Sequence, residues 1–393
     1  MVDCTLREML VMGFRSICSQ EVAFDNPTFV VGPNGSGKSN FADAFAFLAE
    51  AMVSPLQAVV ERRGGFAAVS HRSSARGRPS NLTLRVTLEK PDNDTADARY
   101  YLDLRPRKGN DFEVAEEICS VERSDGSVAF RRRTVKGATR WDISVDSLAP
   151  AVVPNALALP LVGGDKRFQP VLRFLSGMRT YRIEPTELRA MQDPDGGTVL
   201  RPDGSNAASV LREIQRKSPE EDGTRICQLL ESVVPGTVDV RPKKHGPTLT
   251  LEFTQNRVGA EPIKFEAFSM SDGTLRVLGL ILAALQRPVP SLMVIEEPEA
   301  SMHPGVLGSI LDVLRLAGRS MQVVVTTHSP DILDAKWVED RHLRLLSWEH
   351  GSTRIRRVSK AVGSALAEHL MGAGELLRSN ALTSDERTDS DSR

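Results

Sequence analysis

Four cysteines (Cys4, Cys18, Cys119 and Cys227) are scattered through 393 residues without a C-x-x-C pair. This scarcity speaks against a disulfide framework or a cysteine metal site and points to a reducing compartment, so a cytoplasmic protein is expected. No run of about 18 apolar residues occurs, and the N-terminus lacks a basic stretch followed by an apolar one, so no membrane partner is expected. The longest apolar segment, Val277 to Leu285, is interrupted by Gly279 and closed by Arg287-Pro288, which a core helix explains. Aromatic residues make up only 5%, giving no sign of a stacking surface for single strands. No heptad run is long enough for an extended coiled coil. Neither sign of charge dominates, with 50 Lys and Arg against 51 Asp and Glu. Contact with nucleic acid would therefore rest on local clusters, of which there are three: Arg131-Arg132-Arg133 with Lys136, Arg241 with Lys243-Lys244, and Arg354 with Arg356-Arg357. Each is more commonly a solvated loop or strand edge.

The chain is long enough for two or three lobes. Leu6 to Phe14 and Val22 to Phe24 read as short strands, and Thr28 to Val31 as a buried strand running into Gly32-Pro33-Asn34-Gly35-Ser36-Gly37-Lys38-Ser39. A helix is expected next, because Phe41, Ala44, Phe45, Leu48 and Ala49 recur at three- and four-residue spacing. From about Asn81 to Phe265 the texture changes to alternating strands, such as Leu82 to Leu88 and Thr248 to Phe253, broken by turns. Leu292 to Ile295 and Gln322 to Val325 are short apolar runs typical of parallel strands buried on both faces. The expected division is a lobe carrying the glycine loop over 1–90 and 266–350, an inserted α+β lobe over 91–265, and a C-terminal extension over 351–393. Its polar end from Ser379 to Arg393 is expected to be disordered.

The glycine loop matches G-x-x-x-x-G-K-[ST] in the strand–loop–helix order that a phosphate-binding loop requires. Its glycines let successive N–H groups turn inward, the helix N-terminus adds partial positive charge, Lys38 neutralises β/γ oxygens and Ser39 can ligate Mg²⁺. A Gly-rich turn with an exposed lysine is the bland alternative. Hydrolysis of ATP also needs a carboxylate near the metal and a base that orients water, fixed at a strand end beside the loop. Glu296 and Glu297 follow four apolar strand residues directly, so the first suits the metal shell and the second the water. His328, at the exit of another apolar strand, is expected to sense the γ-phosphate.

Together these motifs resemble the ABC-type ATPase heads of the SMC, RecF and OLD proteins, within the short-insert AAA-like ATPases. Met12-Gly13-Phe14-Arg15-Ser16 and Val30 to Asn40 look like that family's first strands and Walker A loop. Ile295-Glu296-Glu297-Pro298-Glu299 resembles its Walker B segment, Thr326-Thr327-His328-Ser329-Pro330 its H-loop, and Ser269-Met270-Ser271-Asp272-Gly273-Thr274 its signature segment. The resemblance implies a P-loop NTPase fold of ABC-ATPase type with a mixed sheet. It also implies ATP and Mg²⁺ as ligands, Asn40 among the nucleotide-binding residues, and a homodimer sandwiching two ATP molecules. Ser271 and Gly273 would then act on the partner's γ-phosphate, with Ala300-Ser301-Met302-His303 at the seam.

Three departures stand out. Glu296 replaces the usual Walker B aspartate. No Q-loop glutamine is assignable, since Gln57 comes too early and Gly64-Gly65-Phe66 to His71 occupy roughly that place. Only 43 residues follow residue 350, too few for the TOPRIM domain of OLD nucleases, so no nuclease activity is expected from the chain. The resemblance implies an ATP-driven dimerisation switch in DNA repair or phage defence, acting with a separate effector such as a nuclease or toxin, with DNA as a possible partner. A transporter's nucleotide-binding subunit and a low-turnover regulatory module are the alternatives.

Overall fold

The computed structural model describes all residues except 1–3, 74–77, 90–97, 124–125, 144–149, 219, 258, 301 and 386–393. A six-stranded sheet runs in spatial order Arg179–Tyr181, Leu292–Glu296, Gln322–Thr327, Thr28–Val31, Leu343–Glu349 and Ser352–Arg356. The first five strands are parallel and the last closes an antiparallel hairpin, so the sheet is mixed. The apolar runs identified in the sequence lie at its centre. Successive residues of a strand face opposite sides, and the two cores divide accordingly. Val30, Val294 and Val324 enter one, while Val31, Ile295 and Val325 enter the other.

The first core fills the space between this sheet, the helix Lys38–Ala51 and a seven-stranded antiparallel sheet. That second sheet runs Ala138–Ile143, Gly126–Val135, Phe112–Arg123, Ala98–Pro106, Leu82–Glu89, Thr5–Phe14 and Ile17–Ala23. The second core holds the helix Asp272–Leu285, of which every residue from Thr274 to Leu285 is buried, together with the helix Leu307–Ala317.

Residues expected to form one inserted lobe, 91–265, contribute to three places. Ala98 to Ile143 extend the N-terminal sheet, because Leu82–Glu89 pairs directly with Ala98–Pro106. Arg179–Tyr181 joins the six-stranded sheet beside Leu292–Glu296. The helices Ala207–Lys217 and Glu221–Glu231 pack with a three-stranded sheet, Thr237–His245, Thr248–Arg257 and Ala260–Glu266, on the second core.

The C-terminal end departs from expectation. Ala381 and Leu382 pack against the second core, and the Ser359 N–H donates to the Thr383 carbonyl at 2.8 Å. Residues 379–385 are therefore docked, because two apolar side chains in a polar segment suffice to anchor it, while 386–393, the rest of the segment expected to be disordered, lie outside the described residues. Among the described residues no helix is long and apolar enough to cross a membrane.

Candidate functional site

The strand Thr28–Val31 is buried along its whole length and delivers the chain to the glycine loop at the C-terminal end of the parallel sheet. Gly35 and Gly37 adopt φ of +81° and +104°, a region that L side chains enter only at a steric cost. Gly37 caps the helix Lys38–Ala51 and no side chain bonds to that N-terminus, which leaves its first N–H groups for a ligand. The loop is braced from behind. The Thr353 hydroxyl donates to the Ser36 carbonyl at 2.9 Å and lies 2.7 Å from Ser16 Oγ, to which the Asn40 amide also donates at 2.7 Å. Asn40 thus lines the cleft while its amide is engaged in this brace.

A cleft of about 310 Å³ is lined by Asn34, Gly35, Gly37, Lys38, Ser39, Asn40, Glu296, Glu297 and Arg182. Lys38 is buried; its Nζ donates to the Gly32 and Pro33 carbonyls at 2.9 and 3.1 Å and lies 3.3 Å from Glu297 Oε1. Burial holds the Glu296 carboxyl above its ordinary range, while a hydrogen bond with Ser39 and the charge of Arg182 pull the other way. Glu297 has φ of +42°, unusual for a residue with a side chain, and its N–H is tied to the Thr326 carbonyl at 2.9 Å. Such strain costs on the order of 1–3 kcal/mol and persists where the surroundings enforce it.

His328 Nδ1 lies 3.4 Å from Glu297 Oε1 and 3.7 Å from Glu299 Oε1. Glu299 is buried and accepts from the Thr327 hydroxyl at 2.5 Å and the His328 N–H at 3.2 Å. Sequence reasoning quoted Glu299 without a role and missed Arg182. The place suggested for the missing Q-loop, Gly64 to His71, packs against the first hairpin, where His71 donates its N–H to the Gly13 carbonyl. The cleft is instead entered by Arg182, directly after the three-residue strand Arg179–Tyr181. A strand that short leaves no alternation to read.

Ser271 and Gly273 do not line this cleft. Ser271 caps the helix Asp272–Leu285, accepting from the Thr274 N–H, and Arg189 holds the segment through the Met270 carbonyl and Asp272. Ser301 lies outside the described residues. Four of the ten basic residues in the three clusters are ion-paired with described residues. Arg131 pairs with Glu116, Arg241 with Asp239, Lys243 with Glu252 and Glu266, and Arg356 with Glu349. Arg132 is buried, donating to the Val114, Val153 and Pro154 carbonyls.

The donor set fits a phosphate-borne Mg²⁺. Among the described residues no three His, Cys, Asp or Glu side chains are grouped to hold a metal. A hydroxyl bonded to a carboxylate, as Ser39 is to Glu296, suits an ion that takes its other ligands from phosphate and water.

A buried parallel strand, a glycine loop, an uncapped helix and two carboxylates at the neighbouring strand's end define a P-loop ATPase fold of the ABC type. The family model described as "AAA domain, putative AbiEii toxin, Type IV TA system" matches residues 28–334, and the chain belongs to that family. Among solved structures it is similar to an SMC head bound to the C-winged helix domain of ScpA, with TM-score 0.57 and 14% identity over 92% of this chain and 99% of that one. It is also similar to an SMC head with an extended coiled coil, bound to the C-terminal domain of ScpA and derived from Pyrococcus furiosus, with TM-score 0.55 and 12% identity over 93% of this chain and 99% of that one. At these identities the likeness establishes the fold. Comparison with curated proteins gives no match.

Proposed function

We propose that this chain binds and hydrolyses ATP and that the nucleotide drives closure and opening of a homodimer that works with a separate effector protein, in DNA repair or phage defence. The observation that carries the catalytic reading is that Glu296 and Glu297, at the end of a buried strand, line the same cleft as Lys38 and Ser39.

In this reading the N–H groups from Gly35 to Asn40 cradle the phosphates and Lys38 exchanges its carbonyl partners for β/γ oxygens. Ser39 and Glu296 hold Mg²⁺, which when bound neutralises the charge that builds on those oxygens. Glu297 accepts the proton of the attacking water. His328, steadied through its N–H by Glu299, presents its imidazole toward the γ-phosphate, and Arg182 adds positive charge at the open side of the cleft. Ser271, Gly273 and the helix N-terminus behind them are absent from this cleft, which supports a role on the partner's nucleotide. ATP biases the closed dimer by its differential affinity for it, and that contact supplies the difference. The solved SMC heads carrying a ScpA domain support a protein partner for such a fold.

Lys38→Ala is expected to abolish ATP binding. Glu297→Gln is expected to slow turnover by on the order of 10²–10⁴ and to accumulate as a dimer with ATP, read by sedimentation velocity. A Glu297→Gln protein that stays monomeric at saturating ATP would remove the sandwich from the model.

A further inference from the structure

We propose that the end of the six-stranded sheet opposite the glycine loop is a binding surface for the phosphate backbone of duplex nucleic acid. Two adjoining clefts of about 820 and 360 Å³ lie beneath the strand starts. Arg173, Arg179, Arg287 and Arg319 line the larger, and Arg315, Arg319 and Arg341 the smaller. Among the described residues no lysine lines either, and the one carboxylate that does, Glu339, is held by Arg341 at 2.8 Å. Arg179 is engaged with the Ser176 and Met178 carbonyls at 2.7 Å. Arg173, Arg287, Arg315 and Arg319 are exposed, and none forms an ion pair with a described residue. The chain as a whole carries nearly equal numbers of acids and bases, so this is a local accumulation of charge.

Helix ends do not account for it. The helices Gln169–Gly177, Asp272–Leu285 and Leu307–Ala317 end at this side. Their C-termini carry roughly half a negative charge each, which offsets part of the four guanidinium charges and leaves an excess of about two to three. The four arginines come from separate places: one helix turn, the approaches to two strands and a second helix. Five strands at 4.7–4.9 Å spacing span about 19 Å, a length of duplex bearing on the order of ten phosphate charges. Guanidinium forks match phosphate oxygens in pairs.

Other polyanions fit less well. The aromatic residues lining these clefts are Phe174, which is buried, and Trp337, which packs on Phe29, so bases of a single strand find no platform. An acidic protein segment would have Pro170, Pro288 and Val289 to anchor on, none of them a large exposed apolar side chain. The surface offers strand ends rather than a strand flank, so it provides no ladder for an added peptide strand.

The test is fluorescence anisotropy of a labelled 20-base-pair duplex with the full chain, without nucleotide, from 50 to 200 mM salt. Four phosphate contacts predict a log–log slope of about −3 to −4, a loss of affinity on the order of 10²-fold across that range, and the same slope for an unrelated sequence. Arg287→Ala and Arg319→Ala should each reduce the slope by about 1. Arg131→Ala and Arg241→Ala, at arginines already paired, should leave it unchanged. Thermal melting verifies that each variant is folded. No binding at 50 mM salt, or an unchanged slope in the folded Arg287→Ala/Arg319→Ala double variant, overturns the proposal. So does tighter binding of polyglutamate than of duplex, which would assign the surface to an acidic protein segment.

Discussion

A Cβ added at Gly37 would lie 2.0 Å from Thr353 Oγ1, on a backbone at φ +104°. Both the left-handed conformation and the overlap act against Gly37→Ala, at roughly 2–4 kcal/mol together. We expect a lower melting temperature and at least tenfold weaker ATP binding, read by nucleotide titration. Adding Thr353→Ala should recover part of the stability by removing the overlapping atom. Glu299 acts through the residues it holds. Glu299→Ala leaves the Thr327 hydroxyl and the His328 N–H without their acceptor, at about 1–3 kcal/mol each. It should lower kcat by at least tenfold with little change in KM, whereas Glu299→Gln keeps an acceptor and should retain most of kcat. Equal losses in both variants would show that the carboxylate charge, rather than positioning, is what matters. Lys38, Ser39, Glu296 and Glu297 were legible in the sequence because each is placed by its immediate neighbours in the chain. Arg182 was not, since its place depends on a three-residue strand that exists only through pairing with Leu292–Glu296.

The basic runs, read from the sequence as more commonly solvated loops or strand edges, lie largely on antiparallel strands. In an antiparallel ladder a charge is judged by what lies across from it. Arg133 faces Glu116, which Arg131 engages, and Arg241 faces Glu252. The arginines gathered beneath the six-stranded sheet come instead from segments far apart in the chain, and no run announces them. The hairpin Leu343–Glu349 and Ser352–Arg356 yields a pH prediction. Hydrogen bonds from Arg356 and then Ser347 lower the Glu349 carboxyl to about 2. The folded state therefore binds fewer protons than the unfolded one between pH 4.5, the ordinary value, and pH 2. The stabilisation is complete above that window and is lost as pH falls through it. Because the pair is partly solvated, the contribution should not exceed about 1 kcal/mol. Acid titration of Glu349→Gln, followed by circular dichroism, should show a shallower loss of stability from pH 4.5 to 2 than the parent. The same hairpin carries Thr353, so its loosening should weaken ATP binding in that window.

At the scale of the molecule, the parallel sheet and its order of motifs were readable because wholly apolar strands advertise burial on both faces. The three destinations of residues 91–265 were not, since antiparallel strands read alike whichever sheet they join. Residues 379–385 were misread for a related reason. Their composition is polar, but composition does not register that Ala381 and Leu382 meet an apolar surface made by other parts of the chain. Docking is reinforced by backbone bonds, with the Ala381 and Leu382 N–H groups donating to the Leu376 carbonyl at 2.8 and 3.1 Å. Ending the chain after Arg378 should therefore expose part of the second core. Partial burial of a leucine is worth about 1–2 kcal/mol, and roughly 2–4 °C in Tm per kcal/mol applies to domains somewhat smaller than this one. A fall of a few degrees is expected by differential scanning calorimetry, with ATP affinity unchanged, because the nucleotide cleft is built from other segments. If the shortened protein melts at the parent temperature, the docked segment adds nothing to the stability of the core it covers.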